Sequence, residues 1–189
     1  MSNLTDTADI NLIHRAREGD NDSFARLVDN YTTRSYRIAF TILKNKHDAE
    51  DAVQEAFITA YRSLNKLEKE ESFGSWLARI VTSRSYDILR QRKRDNVTRT
   101  GEDPAPELEQ VPSRHDSAEA VEKSVDIRWA INRLPADHRL AITLRYTRDA
   151  TTDEIAFIME RPAGTVRRIL SESYHLLRLY LEEEKHREV

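Results

Sequence analysis

Apolar residues along the 189-residue chain recur at spacings of three and four, the rhythm of helices that each bury one stripe. From Ala8 to Leu64 that rhythm is carried by Phe24, Leu27, Val28, Tyr31, Ala39, Phe40 and Leu43. Gly19-Asp20-Asn21-Asp22 interrupts it, as a helix stop followed by an N-cap cluster. A third helix is predicted from near His47 to about Leu64, with Val53, Phe57, Ala60, Tyr61 and Leu64 on one side. The polar stretch from Asn65 to Ser72 predicts a loop, and Phe73 to about Arg94 predicts a fourth helix.

Between Asp95 and about His115 the rhythm stops. Pro104, Pro106 and Pro112 fall there with Asp95, Glu102, Asp103, Glu107 and Glu109, which predicts an extended, solvated linker. Helical spacing resumes near Asp116 and continues through Leu134, and Pro135 opens a helix that ends near Arg145-Tyr146. Thr151-x-x-Glu154 is a capping-box pattern in front of Ile155, Ala156, Phe157, Ile158 and Met159. Pro162 opens the last helix, which carries Val166, Ile169, Leu170, Leu177 and Leu181. No segment alternates with period two for long enough to demand a strand. The expected architecture is all-α: a small helical domain over residues 1–94, a flexible acidic linker over 95–115, and a second helical domain over 116–189.

Composition narrows the function. Only four glycines and five prolines argue against a turn-rich sandwich or barrel. The formal charge of −3 argues, over the whole chain, against a nucleic-acid binder. That charge is unevenly placed: residues 1–94 carry +2, residues 95–125 carry −5 and residues 126–189 carry 0. The acidity therefore belongs to the linker. The absence of Cys excludes disulfides and thiolate metal sites within the chain and fits a reducing compartment. No run approaches about 18 apolar residues, and the start MSNLTDTADI lacks a signal-peptide pattern, so a soluble cytoplasmic protein is expected.

Little in the chain points to catalysis. The six histidines (14, 47, 115, 138, 175 and 186) form no H-E-x-x-H pair, and no phosphate loop, nucleophile elbow or Gly-rich fingerprint is present. His47-Asp48 and Asp137-His138 read as polar residues at helix N-termini. We expect no enzyme, no metal and no cofactor.

Three segments carry binding chemistry instead. The short helix ending near Met159, the turn at Arg161-Pro162 and the longer helix from Ala163 have helix-turn-helix proportions. On the last helix Val166, Ile169, Leu170, Leu177 and Leu181 share one face, and Arg167, Arg168, Ser171, Glu172, His175 and Arg178 share the other. Such a face suits major-groove contact, although a solvated helical hairpin has the same pattern. The helix from Phe73 has Leu77, Ile80, Val81 and Ile88 as its apolar stripe, opposite Trp76, Arg79, Ser83, Tyr86, Arg90 and Arg94. Residues 79–94 hold six basic side chains against one acidic, which suits stacking on unpaired bases and holding phosphates. The equal alternative is a core Trp76 beside a solvated basic face. Asp48, Asp51 and Glu55, with Glu50 and Gln54 adjacent, make the third helix acidic at its start. Dipole stabilisation explains much of this, and a docking face for a basic partner is the functional reading.

Taken together and in order, these motifs resemble the extracytoplasmic-function (ECF) sigma factors of bacterial RNA polymerase. Asp48-Ala-Glu-Asp-Ala-Val-Gln-Glu-Ala-Phe57 with Ala60-Tyr61-Arg62 is similar to that family's region 2.2. Phe73-Gly-Ser-Trp76-Leu77-x-Arg79-Ile80 and Asp87-Ile-Leu89-Arg90 are similar to regions 2.3 and 2.4. Leu134-Pro135, Leu144-Arg145-Tyr146, Glu154-Ile155-Ala156 and Pro162-Ala-Gly164-Thr165-Val166 are similar to region 4.

The resemblance implies a promoter-specificity factor for stress- or signal-responsive promoters, with core RNA polymerase (its β′ and β subunits), promoter DNA and a cognate anti-sigma factor as partners. Asp48, Asp51, Gln54 and Glu55 would dock on the clamp helices of β′. The loop 65–72, with Leu67, and the helix side chains Trp76, Arg79, Ser83, Arg90 and Arg94 would open and hold the minus-10 element. Pro162, Gly164, Thr165, Arg167, Arg168 and Ser171 would read the minus-35 element. The linker would thread toward the RNA exit path, and an anti-sigma factor would hold the protein in the cytoplasm or at the inner face of the membrane.

Several residues depart from the family pattern. Ser83 stands where Asn is usual, Glu68, Glu70 and Glu71 make the loop acidic, and Glu172 and Tyr174 stand where basic residues are common. Glu172 suits either a cytosine N4 contact or local pairing. Two alternatives therefore stay open: a sigma-like decoy that binds an anti-sigma factor, and a polymerase-independent helix-turn-helix regulator.

Overall fold

A computed structural model describes residues 7–99 and 127–187. The described residues form eight α-helices, and no strand is found among them. In chain order these are α1 (Thr7–Arg17), α2 (Asn21–Leu43), α3 (Lys46–Ser63), α4 (Phe73–Arg99), α5 (127–133), α6 (Ala136–Arg148), α7 (Thr152–Met159) and α8 (Ala163–Arg187).

Local chemistry sets the boundaries. Gly19, at φ +97°, ends the first helix, and the Asp20 carboxylate then accepts from the backbone N–H groups of Asp22 (3.1 Å) and Ser23 (3.2 Å) to start α2. Lys44 closes α2 in the left-handed region with its N–H on the Phe40 carbonyl, and Asn45 caps α3 through the Asp48 N–H. The predicted capping box at α7 is present in both directions between Thr151 and Glu154. The predicted loop 65–72 contains two single 3-10 turns, Leu64–Lys66 and Glu70–Ser72.

Helices α1 to α4 enclose one core around Ile13, Leu27, Tyr31, Phe73, Leu77 and Val81, all nearly or fully buried. Asp9 is buried with them because Tyr31 Oη and Asn30 Nδ2 both donate to its carboxylate, at 2.8 and 2.9 Å. Helices α6 to α8 bury Leu140, Ile142, Leu144, Ile155, Ile158 and Val166, which join the first set in one continuous core.

Helix α4 continues five residues past its predicted end, through residues 95–99 of the expected linker. The rest of that linker and the predicted helix over 116–126 lie outside the described residues. The structure also places the two helical domains in contact, α6 against α2 and α7 against α4. Arg139, 8% exposed, crosses that contact: its Nε donates to the Thr41 carbonyl at 2.6 Å and its Nη1 to the Leu134 carbonyl at 2.7 Å. Arg148 donates to the Gly74 carbonyl at 3.1 Å, and Tyr86 Oη donates to Asp137 at 2.5 Å. Burial pushes both guanidiniums below their ordinary basicity, and burial with the Asp137 hydrogen bond pushes the Tyr86 phenol up.

Candidate DNA- and polymerase-binding surfaces

The acidic start of α3 divides into two kinds of carboxylate. Asp48 is drawn inward by an ion pair with Arg92 of α4 and keeps a side chain only 20% exposed. Asp51, Gln54 and Glu55 face solvent. Beside them lies a feature the helical rhythm did not announce, an open groove of about 790 Å³ between α2 and α3. Val28, Tyr36, Val53 and Phe57 line it together with the exposed Ile58 and Tyr61, and Glu50, Gln54 and Arg62 are among its polar lining. Tyr61 was expected on the buried side of α3 but is 47% exposed. It packs edge-on to Phe24 at 4.9 Å and donates to Asn21 at 2.7 Å, so its ring closes the groove rather than entering the core. Ile58, 45% exposed and off the α3 stripe, was the available signal for this surface.

The proposed minus-10 residues are distributed unequally. Leu67 does not face solvent: its side chain is 6% exposed, and Arg17 of α1 binds the carbonyls of Leu64 and Leu67 together with the Glu70 carboxylate, drawing the loop inward. Glu70 is held below the usual carboxylate range by its own backbone N–H and then by Arg17, so one of the three loop acids is neutralised internally. Glu68 and Glu71 are exposed. Trp76 is half-buried against Phe73, with ring centroids 5.9 Å apart. Arg79 donates from Nε to Glu160 at 2.6 Å and lies over the Phe157 ring, 5.0 Å from its centroid. Ser83 and Arg94 are exposed, and Arg90 is exposed and ion-paired with Asp87 one turn earlier.

Helices α7 and α8 have the helix-turn-helix order expected of them, a short helix, a turn and a longer helix. Glu160, at φ +52°, ends α7 in the left-handed region, with its N–H shared between the Ala156 and Phe157 carbonyls. Val166, Ile169 and Leu170 are buried beneath α8, whereas Arg167, Arg168 and Ser171 are exposed on its outer face. Pro162 and Gly164 are exposed at the helix start, and a Cβ added at Gly164 would meet nothing within 4 Å. Thr165 is half-buried. Glu172 is half-buried and held from two directions, by His138 Nε2 of α6 at 3.2 Å and by Arg168 Nη1 at 3.0 Å. The hydrogen bond from His138, and then Arg168, holds the Glu172 carboxyl below its ordinary range.

Among the described residues, no group of three or more His, Cys, Asp or Glu side chains is placed to hold a metal ion, and no helix is long and apolar enough to cross a membrane.

Comparison with known proteins places both helical domains in one family. The Sigma-70 region 2 model matches residues 27–95, from within α2 into α4, and the Sigma-70 region 4 model matches residues 130–179, from α5 into α8. The ECF RNA polymerase sigma factor SigW of Bacillus subtilis is 32% identical over 178 residues, spanning 90% of this chain and 95% of that protein. The ECF RNA polymerase sigma-E factor of Haemophilus influenzae is 33% identical over 171 residues, spanning 87% and 88%. Two solved structures share the fold. One is the sigma factor RpoE of Bartonella quintana in complex with the anti-sigma factor NepR, with TM-score 0.72, 23% identity and coverage of 84% of this chain and 96% of that one. The other is CnrH in complex with the cytosolic domain of CnrY, with TM-score 0.66, 19% identity and coverage of 94% and 99%. With both sigma regions matched in order, and about a third of residues shared with SigW along nearly the whole of both proteins, the chain belongs to the ECF sigma factors of bacterial RNA polymerase.

Proposed function

We propose that this sigma factor docks on core polymerase through the α2–α3 groove and its acidic edge, and then directs initiation at promoters whose two elements are read by separate domains. Residues 1–94 act on the minus-10 element, residues 95–115, the first five of which continue α4, connect the two parts, and residues 116–189 read the minus-35 element. The observation that carries the docking assignment is an apolar rim, Ile58 and Tyr61, beside exposed Asp51, Gln54 and Glu55. An amphipathic helix with a basic flank fits such a surface through apolar burial at its centre and charge at its edge. Asp48 contributes less directly, by fixing Arg92 and the α3–α4 junction.

On the DNA side, Trp76 supplies the stacking surface, and Arg79, Ser83, Arg90 and Arg94 line the path of the opened strand. For Arg79 this means exchanging Glu160 for a phosphate. Pro162, Gly164, Thr165, Arg167, Arg168 and Ser171 meet the minus-35 duplex. We read the chain as a cytoplasmic initiation factor without catalytic activity of its own. Control by an anti-sigma factor is supported by the fold shared with sigma factors solved in such complexes.

Ile58→Asp tests the docking surface. The substitution places a carboxylate at a position already 45% exposed, so the helical fold is retained while the apolar rim is lost. Core-polymerase affinity should fall at least tenfold, measured by competition against a labelled sigma factor. Unchanged affinity would move the docking site elsewhere.

A further inference from the structure

Glu172 sits on the outer half of the recognition helix, at a position where the family resemblance leads one to expect a basic side chain. A bare carboxylate there would repel phosphates, but this one is not bare. Its Oε2 faces His138 Nε2 at 3.2 Å and its Oε1 accepts from Arg168 Nη1 at 3.0 Å. The His138 ring is 18% exposed, and its Nδ1 is buried without a partner. An ionised carboxylate can only accept, so Nε2 carries the proton of this bond and donates to Glu172. His138 belongs to α6, so the carboxylate is anchored to the body of the domain and not only to its own helix.

Helix support does not explain the arrangement. Arg168 precedes Glu172 by four residues, and in that order an ion pair does less for a helix than the reverse order. Its effect falls on Arg168. The guanidinium side chain is 67% exposed, yet one amino group is tied to an anchored carboxylate, which restricts its rotamers while its other N–H donors stay available. A long side chain that is ordered before binding loses less entropy when it binds. The donor pair of an ordered arginine at the outer face of such a helix matches O6 and N7 of guanine.

We propose that Glu172 is a positioning residue that orients Arg168 for bidentate reading of one guanine in the minus-35 element, and so sets specificity at that base pair. This rests on the reading of α8 as the minus-35 helix. Both carboxylate oxygens already have a partner within the protein, and in this proposal Glu172 acts through Arg168.

The test uses holoenzyme, assembled from core polymerase and the full chain, on a promoter library with a randomised minus-35 block. Bound sequences are compared for wild type, Arg168→Ala, Glu172→Ala, Glu172→Gln and the Arg168→Ala/Glu172→Ala double variant, each first checked for native helical content and melting. Wild type should enrich guanine at one position by tenfold or more, within the range of about 5- to 150-fold expected of a bidentate contact. Arg168→Ala and Glu172→Ala should both lose that preference, the double variant should lose no more than Arg168→Ala alone, and Glu172→Gln, which keeps an acceptor oxygen, should recover part of it. If Glu172→Ala tightens binding to every sequence and keeps the guanine preference, the carboxylate is only a repulsive charge and the proposal fails. If Arg168→Ala changes neither base preference nor salt dependence, α8 does not read this element and the underlying assignment fails with it.

Discussion

Arg79, a candidate promoter contact in the first domain, donates from Nε to the Glu160 carboxylate of the second at 2.6 Å. The side chains are 43% and 54% exposed, so the pair contributes little stability, about 0–1 kcal/mol. Its consequence is occupancy: while it stands, a cation expected to hold DNA is held by the protein. Glu160→Gln should therefore raise the affinity of the free chain for a single-stranded minus-10 oligonucleotide several-fold at low salt and leave the melting temperature nearly unchanged. Titration by fluorescence anisotropy across a salt series checks this, and equal affinities would mean that Arg79 does not limit binding.

The contact between domains depends more heavily on Arg139. Its guanidinium satisfies the Thr41, Asn132 and Leu134 carbonyls from a buried position. Removing it leaves carbonyl groups without their donor, at a cost of about 1–3 kcal/mol. Because only the Thr41 carbonyl lies across the contact, Arg139→Ala should weaken that contact by part of this cost, and small-angle scattering should show a larger radius of gyration.

Lys44 adds a pH dependence at the same contact. It bonds to Asn132 of α5, and burial, followed by repulsion from Arg139, pushes its ammonium from 10.5 down to about 8. Between those values the unfolded chain holds a proton that the folded chain has released. Stability therefore rises with pH across about 8 to 10.5, and the penalty is fully present below that window. The side chain is partly exposed, so solvent screening limits the gain to the order of 1 kcal/mol. Denaturant unfolding at pH 7.5 and 10.5 should show this rise in wild type relative to Lys44→Met.

Much of this arrangement was legible in the chain. The period of three and four, Asp20, and the Thr151–Glu154 pair located the helices and several of their starts, because capping and stripe formation are local effects. The split of α8 into buried Val166, Ile169 and Leu170 and exposed Arg167, Arg168 and Ser171 was legible for the same reason. The burial of Leu67 within its loop was not legible because the group that draws the loop inward, Arg17, lies about fifty residues earlier. Tyr61 was assigned to the core because its spacing fits the α3 stripe, whereas its ring caps the groove beside Phe24. Nothing in the helical rhythm singles out Arg139 or Arg148, and only the approach of α2 and α4 makes them buried donors.

Gly164 offers a separation of stability from function. Nothing lies within 4 Å of an added Cβ, so Gly164→Ala should fold normally and gain up to about 0.5–1 kcal/mol from helix propensity. If the start of α8 meets the DNA backbone closely, the same methyl group should weaken binding to minus-35 duplexes about tenfold. Melting curves and duplex binding measured together check both halves.

The central claim is tested most directly by multi-template run-off transcription, with core polymerase alone and with this chain added, on a pool of promoter-length fragments from the source genome. Defined-length transcripts that appear only when both are present, and that are lost with Ile58→Asp, are the predicted result. Stable association with core polymerase that yields no promoter-specific transcript, or DNA binding that never involves core polymerase, would contradict it.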